Sequence, residues 1–188
     1  MTGENAVGRN KSSYRSRRLL FIIVIVFVWM SIIFFFSSQS YQQQDLRPWL
    51  QEHLPSAAIE HWFSWVSFTY AGEIVSIDAK GVPGFVEFFI RKAAHIGEYF
   101  VLGGLLLLLL TNLLRIRASI VIPVSWCLCA LYAVSDELHQ STSGYRIFKA
   151  QDVVLDSIAA LVGIMLVSAY TYWRSMKSRP REVLDRKG

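Results

Sequence analysis

Apolar residues in this 188-residue chain gather into four blocks instead of recurring at the spacing of a half-exposed helix. Leu19 to Phe36 gives 18 residues without a charge, and Phe100 to Leu114 continues a helix begun near Arg91. Ala118 to Ser135 gives another 18, and Val153 to Trp173 carries only Asp156. Each block is long enough to cross a hydrocarbon core of about 30 Å. The pattern predicts an all-α membrane protein built as a four-transmembrane-helix bundle. The spans are 19–36, 92–114, 118–138 and 152–173, flanked by basic segments 1–18 and 174–188. An extracytoplasmic interfacial segment, 37–91, joins the first two spans.

That segment holds Trp49, Trp62, Phe63, Trp65, Phe68 and Tyr70, side chains that favour the headgroup region. Pro48 to Leu54 and Ser56 to Phe68 read as short amphipathic helices, with Ser56 as the N-cap of the second. Phe68-Thr69-Tyr70 and Glu73 to Ile77, separated by Ala71-Gly72, read as two short strands. Gly81-Val82-Pro83-Gly84 reads as a turn ahead of the second span. Residues 1 to 14 are polar and aperiodic, which predicts disorder. In the fourth span Ser157, Ala159, Ala160 and Gly163 offer a small face for close helix contact.

Charge sets the expected orientation. The two ends and the short link between spans two and three carry 13 of the 19 basic residues but three of the 14 acidic ones, a net +10 against −5 on the other side. Lys- and Arg-rich short flanks stay in the cytoplasm, so both termini are predicted cytoplasmic and the loops at 37–91 and 140–149 outward, in the cytoplasmic membrane. The overall +5 and pI near 9.4 therefore reflect topology. No basic stripe interleaved with stacking aromatics appears, so the lipid bilayer, and not nucleic acid, is the expected partner. The first span exceeds a secretory h-region, and Phe36-Ser37-Ser38-Gln39-Ser40 lacks a small-x-small cleavage site, so it reads as a retained anchor. Cys127 and Cys129, two apart on one helix, point to different faces and predict no disulfide.

A charged group in hydrocarbon costs about 2.5–3.5 kcal/mol on insertion scales, so charges inside spans mark a site by default. Here they share one side of the membrane. Lys92, His95, Glu98 and Tyr99 follow i, i+3, i+6 and i+7 spacing on one face of the second span, with Arg91 four before His95. Tyr132, Asp136 and Gln140 recur every four residues near the end of the third, beside Glu137 and His139, and Asp152 and Asp156 open the fourth. His95 has the chemistry of an acid or base, Asp136 that of a group orienting His95 or activating water, and Lys92, Arg91 and Arg146 that of anion holders. Ser37 and Ser38 are nucleophile candidates, although a serine at a helix end more often serves as a cap. His139 reads as exposed at headgroup level. No tight signature such as H-E-x-x-H occurs, so neither a metal nor another cofactor is expected. Read as packing alone, Arg91 and Lys92 pair with Asp136, Glu98 or Asp152 and fix helix register without binding anything.

The order of Phe36-Ser37-Ser38-Gln39-Ser40, the run Arg91-Lys92-Ala93-Ala94-His95-Ile96-Gly97-Glu98-Tyr99, then Asp136-Glu137-Leu138-His139-Gln140, Arg146 and Asp152 resembles the VanZ-like family over residues 19 to 173. That resemblance implies a small four-span protein acting at the cell envelope. It extends the candidate ligand-binding set to Ser38, Gln39, Arg91, Lys92, Glu98, Tyr99, Glu137, Gln140, Arg146, Asp152 and Asp156, beside His95 and Asp136 as proton-transfer groups. The family's name points to lowered susceptibility to teicoplanin-type glycopeptides. Two alternatives stand beside it: a hydrolase or transferase acting on a phosphate-bearing envelope lipid or lipid-linked wall precursor, and a non-catalytic partner of another membrane protein.

Overall fold

The computed structural model describes residues 3–40, 42–114, 116–142 and 148–177, with side chains from residue 14. Helix α1 spans Gly3–Ser37, followed by two short helices, α2 (Arg47–His53) and α3 (Ser56–Phe63). A hairpin of β1 (Ser67–Tyr70) and β2 (Glu73–Ser76) precedes the three remaining long helices, α4 (Ile77–Leu114), α5 (Ala118–Thr142) and α6 (Ala150–Lys177). All four long helices have the length and apolar composition to cross a membrane, which makes this a multi-pass all-α membrane protein. Their outward faces carry exposed apolar side chains such as Phe27, Leu131, Ile158 and Leu166, the surface lipid tails require.

Helix α4 is the centre. It packs against α1, α5 and α6, and α5 also touches α1 and α6. The α4–α6 crossing is built on small residues: Gly163 lies against the backbone of Phe100, and Gly103 against that of Ala160. Without a hydrophobic drive between helices in lipid, such close approach supplies the packing energy. Around it Tyr99, Leu102, Leu106, Cys129, Ala133, Ala159 and Ala160 form a buried core with Val26 and Ile33 of α1. Polar handles lock the other crossings. Trp29 donates its indole N–H to the Glu98 carbonyl at 2.9 Å, Tyr132 donates to the Met30 carbonyl at 2.8 Å, and Trp126 donates to the Ser157 carbonyl at 2.9 Å. Cys127 is exposed and Cys129 buried, both as free thiols.

Three local expectations change. The helix of the second span starts well before Arg91. Only Gly81 leaves helical geometry, at φ 68°, and Pro83 then falls in the first turn of the resumed helix. A missing N–H there costs nothing and a fixed φ helps, so the apparent turn signal is a helix start. The second interfacial helix ends at Phe63 and not Phe68, because the chain turns at Ser64 and enters β1. Helix α1 reaches back to Gly3 instead of beginning after a disordered tail; past its nucleus a helix adds one bond per residue, and no proline intervenes.

The predicted strands form an antiparallel pair with Phe68 opposite Val75 and Thr69 opposite Ile74. Ala71 and Gly72, both at positive φ, make the tight turn that matches strand twist. Val75, Ile77, Val82 and Phe85 bury together under Leu54 and Ile59, so the hairpin and α3 sit as a cap on the first turns of α4. Trp49, Trp62 and Trp65 remain exposed on this cap.

Candidate functional site

The end of α1, the start of α4, the end of α5 and the start of α6 meet beneath this cap. Asp152, in the first turn of α6 where the helix dipole favours an anion, is the focal group. Its Oδ1 accepts from Lys92 Nζ and from the Tyr70 hydroxyl, each at 2.5 Å. Lys92 also lies 4.7 Å from the centre of the Tyr70 ring, so its charge is held by a carboxylate and an aromatic face. Burial, and then Asp152 itself, push the Tyr70 hydroxyl above its ordinary value, which keeps it a donor.

Further into the bundle, His95 Nδ1 stands 3.5 Å from Asp156 Oδ2. Among the described residues the carboxylate within ion-pair reach of His95 is Asp156 of α6, and no such contact joins His95 to Asp136 of α5. Asp136 is buried and accepts from the Gln140 amide at 3.3 Å. The hydroxyls of Ser37 and Tyr99 lie close to Asp136 without a well-formed hydrogen bond. Glu137 accepts the Lys149 backbone N–H at 2.7 Å and so fixes the approach to α6. His139, expected at the exposed rim, is half-buried and stacks on Phe34 with ring centres 4.5 Å apart.

Sequence reasoning missed Glu87, which is 2% exposed. It receives Arg91 at 3.3 Å, Arg47 at 3.7 Å and the Leu46 backbone N–H at 3.2 Å, tying the entry of α2 to α4. Its place four residues before Arg91 was the available signal. Arg47 also forks onto Asp45 at 2.8 and 2.7 Å, which holds the Asp45 carboxyl down to about 2.

Two cavities open among these groups. The larger, about 760 Å³, is bordered by Arg47, Tyr70, Lys80, Lys92, Glu137 and Asp152. The smaller, about 260 Å³, lies toward α1 and is bordered by Ser37, Glu98 and Asp136. Arg91, His95 and Gln140 belong to both linings and form the wall between them. Asp156 stands behind that wall through His95, and Tyr99 is fully buried in the core. Ser38 and Gln39 border neither cavity, and the Ser38 hydroxyl caps α1 by donating to the Phe35 carbonyl at 2.7 Å. Arg146 lies outside the described residues.

Over residues 21–171 the chain matches the sequence model of the VanZ/LLP1 family. The chain belongs to that family. No curated protein and no solved structure matches it. The VanZ/LLP1 match takes in both cavities and every span, so the polar cluster is part of the family region and not an appendage.

The hairpin closes the larger cavity through Glu73, which meets Lys149 at 2.9 Å and Lys80 at 3.1 Å. These hydrogen bonds hold the Glu73 carboxyl below its usual 4.5. A carboxyl lowered in the folded state contributes fully above the usual value and loses that contribution as pH falls through the lowered one. Hydrogen exchange in β1 and β2 is therefore expected to be flat from pH 7 to about pH 4.5 after correction for intrinsic rates, then to accelerate below it. Glu73→Gln should show faster exchange at neutral pH and no acid-dependent step; a step that persists in the variant would assign it to another group.

Proposed function

We propose that this VanZ/LLP1 protein acts at the outer face of the cytoplasmic membrane, holding the polar headgroup of an envelope lipid or lipid-linked wall precursor in the larger cavity. The observation that carries the reading is the cavity itself: about 760 Å³, walled by charged side chains on membrane helices and bordered by the hairpin through Tyr70 and Glu73. Charges at that depth are expensive unless they serve a ligand or each other. The excess of Lys and Arg at the two chain ends supports an outward position for the hairpin and cavity. Through this headgroup the protein lowers susceptibility to teicoplanin-type glycopeptides. Those drugs carry a lipid tail, and a protein that alters the outer leaflet or its wall precursors weakens their capture.

Topology tests the reading first. A reporter active only outside the cytoplasm should be active when fused after Lys149 and silent when fused after Lys177. The reverse pattern would sink it, since the cavity would then face the cytoplasm.

The His95–Asp156 contact favours a second reading, hydrolysis or transfer on a phosphate-bearing lipid. An imidazole set against a carboxylate, in a wall shared with Arg91, has the parts for proton transfer beside an anion. Turnover of such a lipid by purified protein, lost in His95→Ala, would establish it; inactivity on a broad lipid panel would remove it.

A further inference from the structure

We infer that Lys80 and Lys149 form a phosphate site at the edge of the larger cavity, and that the Glu73 carboxylate occupies it until a ligand displaces it. The inference rests on the headgroup reading above and names the part of that ligand which these two lysines hold. Lys80 belongs to α4 and Lys149 stands one residue before α6, yet both ammonium groups converge on one carboxylate of the hairpin. Lys80 Nζ lies 3.1 Å from Glu73 Oε2, and Lys149 Nζ lies 2.9 Å from Glu73 Oε1. Each oxygen therefore serves one lysine. Among the described residues neither lysine forms a second ion pair, so two cations share one negative charge.

The rest of the lining does not make up the difference. Lys92 is taken by Asp152, and Arg47 and Arg91 meet Glu87. Glu137, the remaining carboxylate, accepts the Lys149 backbone N–H at 2.7 Å. Five Lys and Arg thus face four Asp and Glu around the cavity, and an added anion restores the balance.

Burial separates the fixed charges from the exchangeable one. Lys92 and Asp152 are largely shielded from water, whereas the Glu73 side chain is 55% exposed. An exposed carboxylate–lysine contact contributes little, because water screens it and both side chains lose freedom in making it. Glu73 directly follows the Ala71–Gly72 turn, so rotation of its side chain into water frees both lysines while the strand pairing stays as it is. The two non-ester oxygens of a phosphodiester present the same pair of acceptors with a negative charge spread over them. Gly84 lines the cavity in the first turn of the helix that resumes after Gly81, where the dipole adds to the attraction for an anion. A lipid headgroup and free phosphate both offer that chemistry.

The test titrates purified full-length protein in detergent with short-chain phosphatidylglycerol, its neutral phosphate methyl triester, and inorganic phosphate. Wild-type protein is expected to bind phosphatidylglycerol at least about tenfold more tightly than the triester, the worth of one charge-assisted hydrogen bond. Glu73→Gln should tighten binding of the charged lipid about threefold, because a site held by its own carboxylate binds in proportion to the fraction left open. Glu60→Gln, the same charge change on an exposed residue of α3 outside the cavity lining, should leave it unaltered. Lys80→Gln and Lys149→Gln should each erase much of the gap between the two lipids. Inorganic phosphate competing as well as the lipid would keep the phosphate site and overturn the lipid reading. Equal affinity of wild-type protein for the two lipids would overturn the inference while leaving the headgroup reading intact. Weaker binding by Glu73→Gln, or equal tightening by Glu60→Gln, would also overturn it, since Glu73 would then build the site or act only through overall charge. Binding of none of the probes would overturn both. The comparison of the two lipids uses wild-type protein, so it stands even if a variant folds poorly.

Discussion

Asp152→Ala is expected to destabilise the protein by about 3 kcal/mol or more and to loosen the hairpin, because it removes the acceptor on which two elements converge. The Lys92 and Asp152 side chains are 17% and 10% exposed, so water does little to replace the lost partner. Lys92 would be left as an uncompensated cation, and the Tyr70 hydroxyl would lose its acceptor at the same time. Asp152→Asn should cost less, since an amide oxygen still accepts from Tyr70. Replacing both charged residues, Lys92→Met with Asp152→Leu, should recover much of the loss, because an apolar pair of similar volume is often as stable as a buried ion pair. Chemical unfolding in detergent compares these proteins with the wild type and with the two single variants, Lys92→Met and Asp152→Leu. Additive losses in the double variant would mean that the two residues act independently and that the contact does not hold the cavity closed. Recovered stability without recovered lipid binding is the pattern that separates the pair's structural role from its part in the cavity.

Gly163→Leu should have the largest effect on the bundle itself. A Cβ at that position would overlap the Phe100 carbonyl, and the backbone of α4 cannot yield as a flexible side chain would. The helices must separate, opening the contact that includes Gly103 against Ala160. Overpacking of a tight contact costs about 1–3 kcal/mol and sometimes more, and here it strikes the crossing around which the core is assembled. The expected outcome is a large drop in melting temperature and in the yield of folded protein from membranes. Gly97→Leu is the matched control, since nothing lies within 4 Å of a Cβ there. It should be neutral or slightly stabilising through helix propensity. Equal tolerance of both substitutions would mean that α4 and α6 do not meet at this face.

Much of the bundle was legible because membrane spans are written in composition: a block such as Leu19 to Phe36 has few other uses. The small face of the fourth span was legible for a similar reason, since Ala160 and Gly163 leave room that only a second backbone fills. The polar stripes were legible as faces, which helical spacing fixes. The rotation of one helix against another is not encoded in spacing, so the ion-pair partner of His95 became clear only when α6 was seen to present a carboxylate within reach of it.

Glu87 was harder still, because its meaning depends on Arg47, forty residues earlier, and on the Leu46 backbone. Tyr70 read as an interfacial aromatic, and only the hairpin's docking on α4 turns its hydroxyl onto Asp152. Pro83 misled through its local signal. Proline suits a turn and a first helical turn alike, and the choice between them rests on whether the residues C-terminal to it continue a helix.

The claim that function resides in the polar cavities is tested most directly by teicoplanin susceptibility. Cells carrying no copy, the wild type, or Asp136→Asn would be compared, with membrane abundance and melting temperature matched between the two proteins. Asp136 is suited to this because the substitution keeps its shape and its neighbour Gln140 is neutral. Protection by the wild type and none by the variant is the expected result. Equal protection by both would contradict the claim, since the cavity chemistry would then be irrelevant to what the protein does.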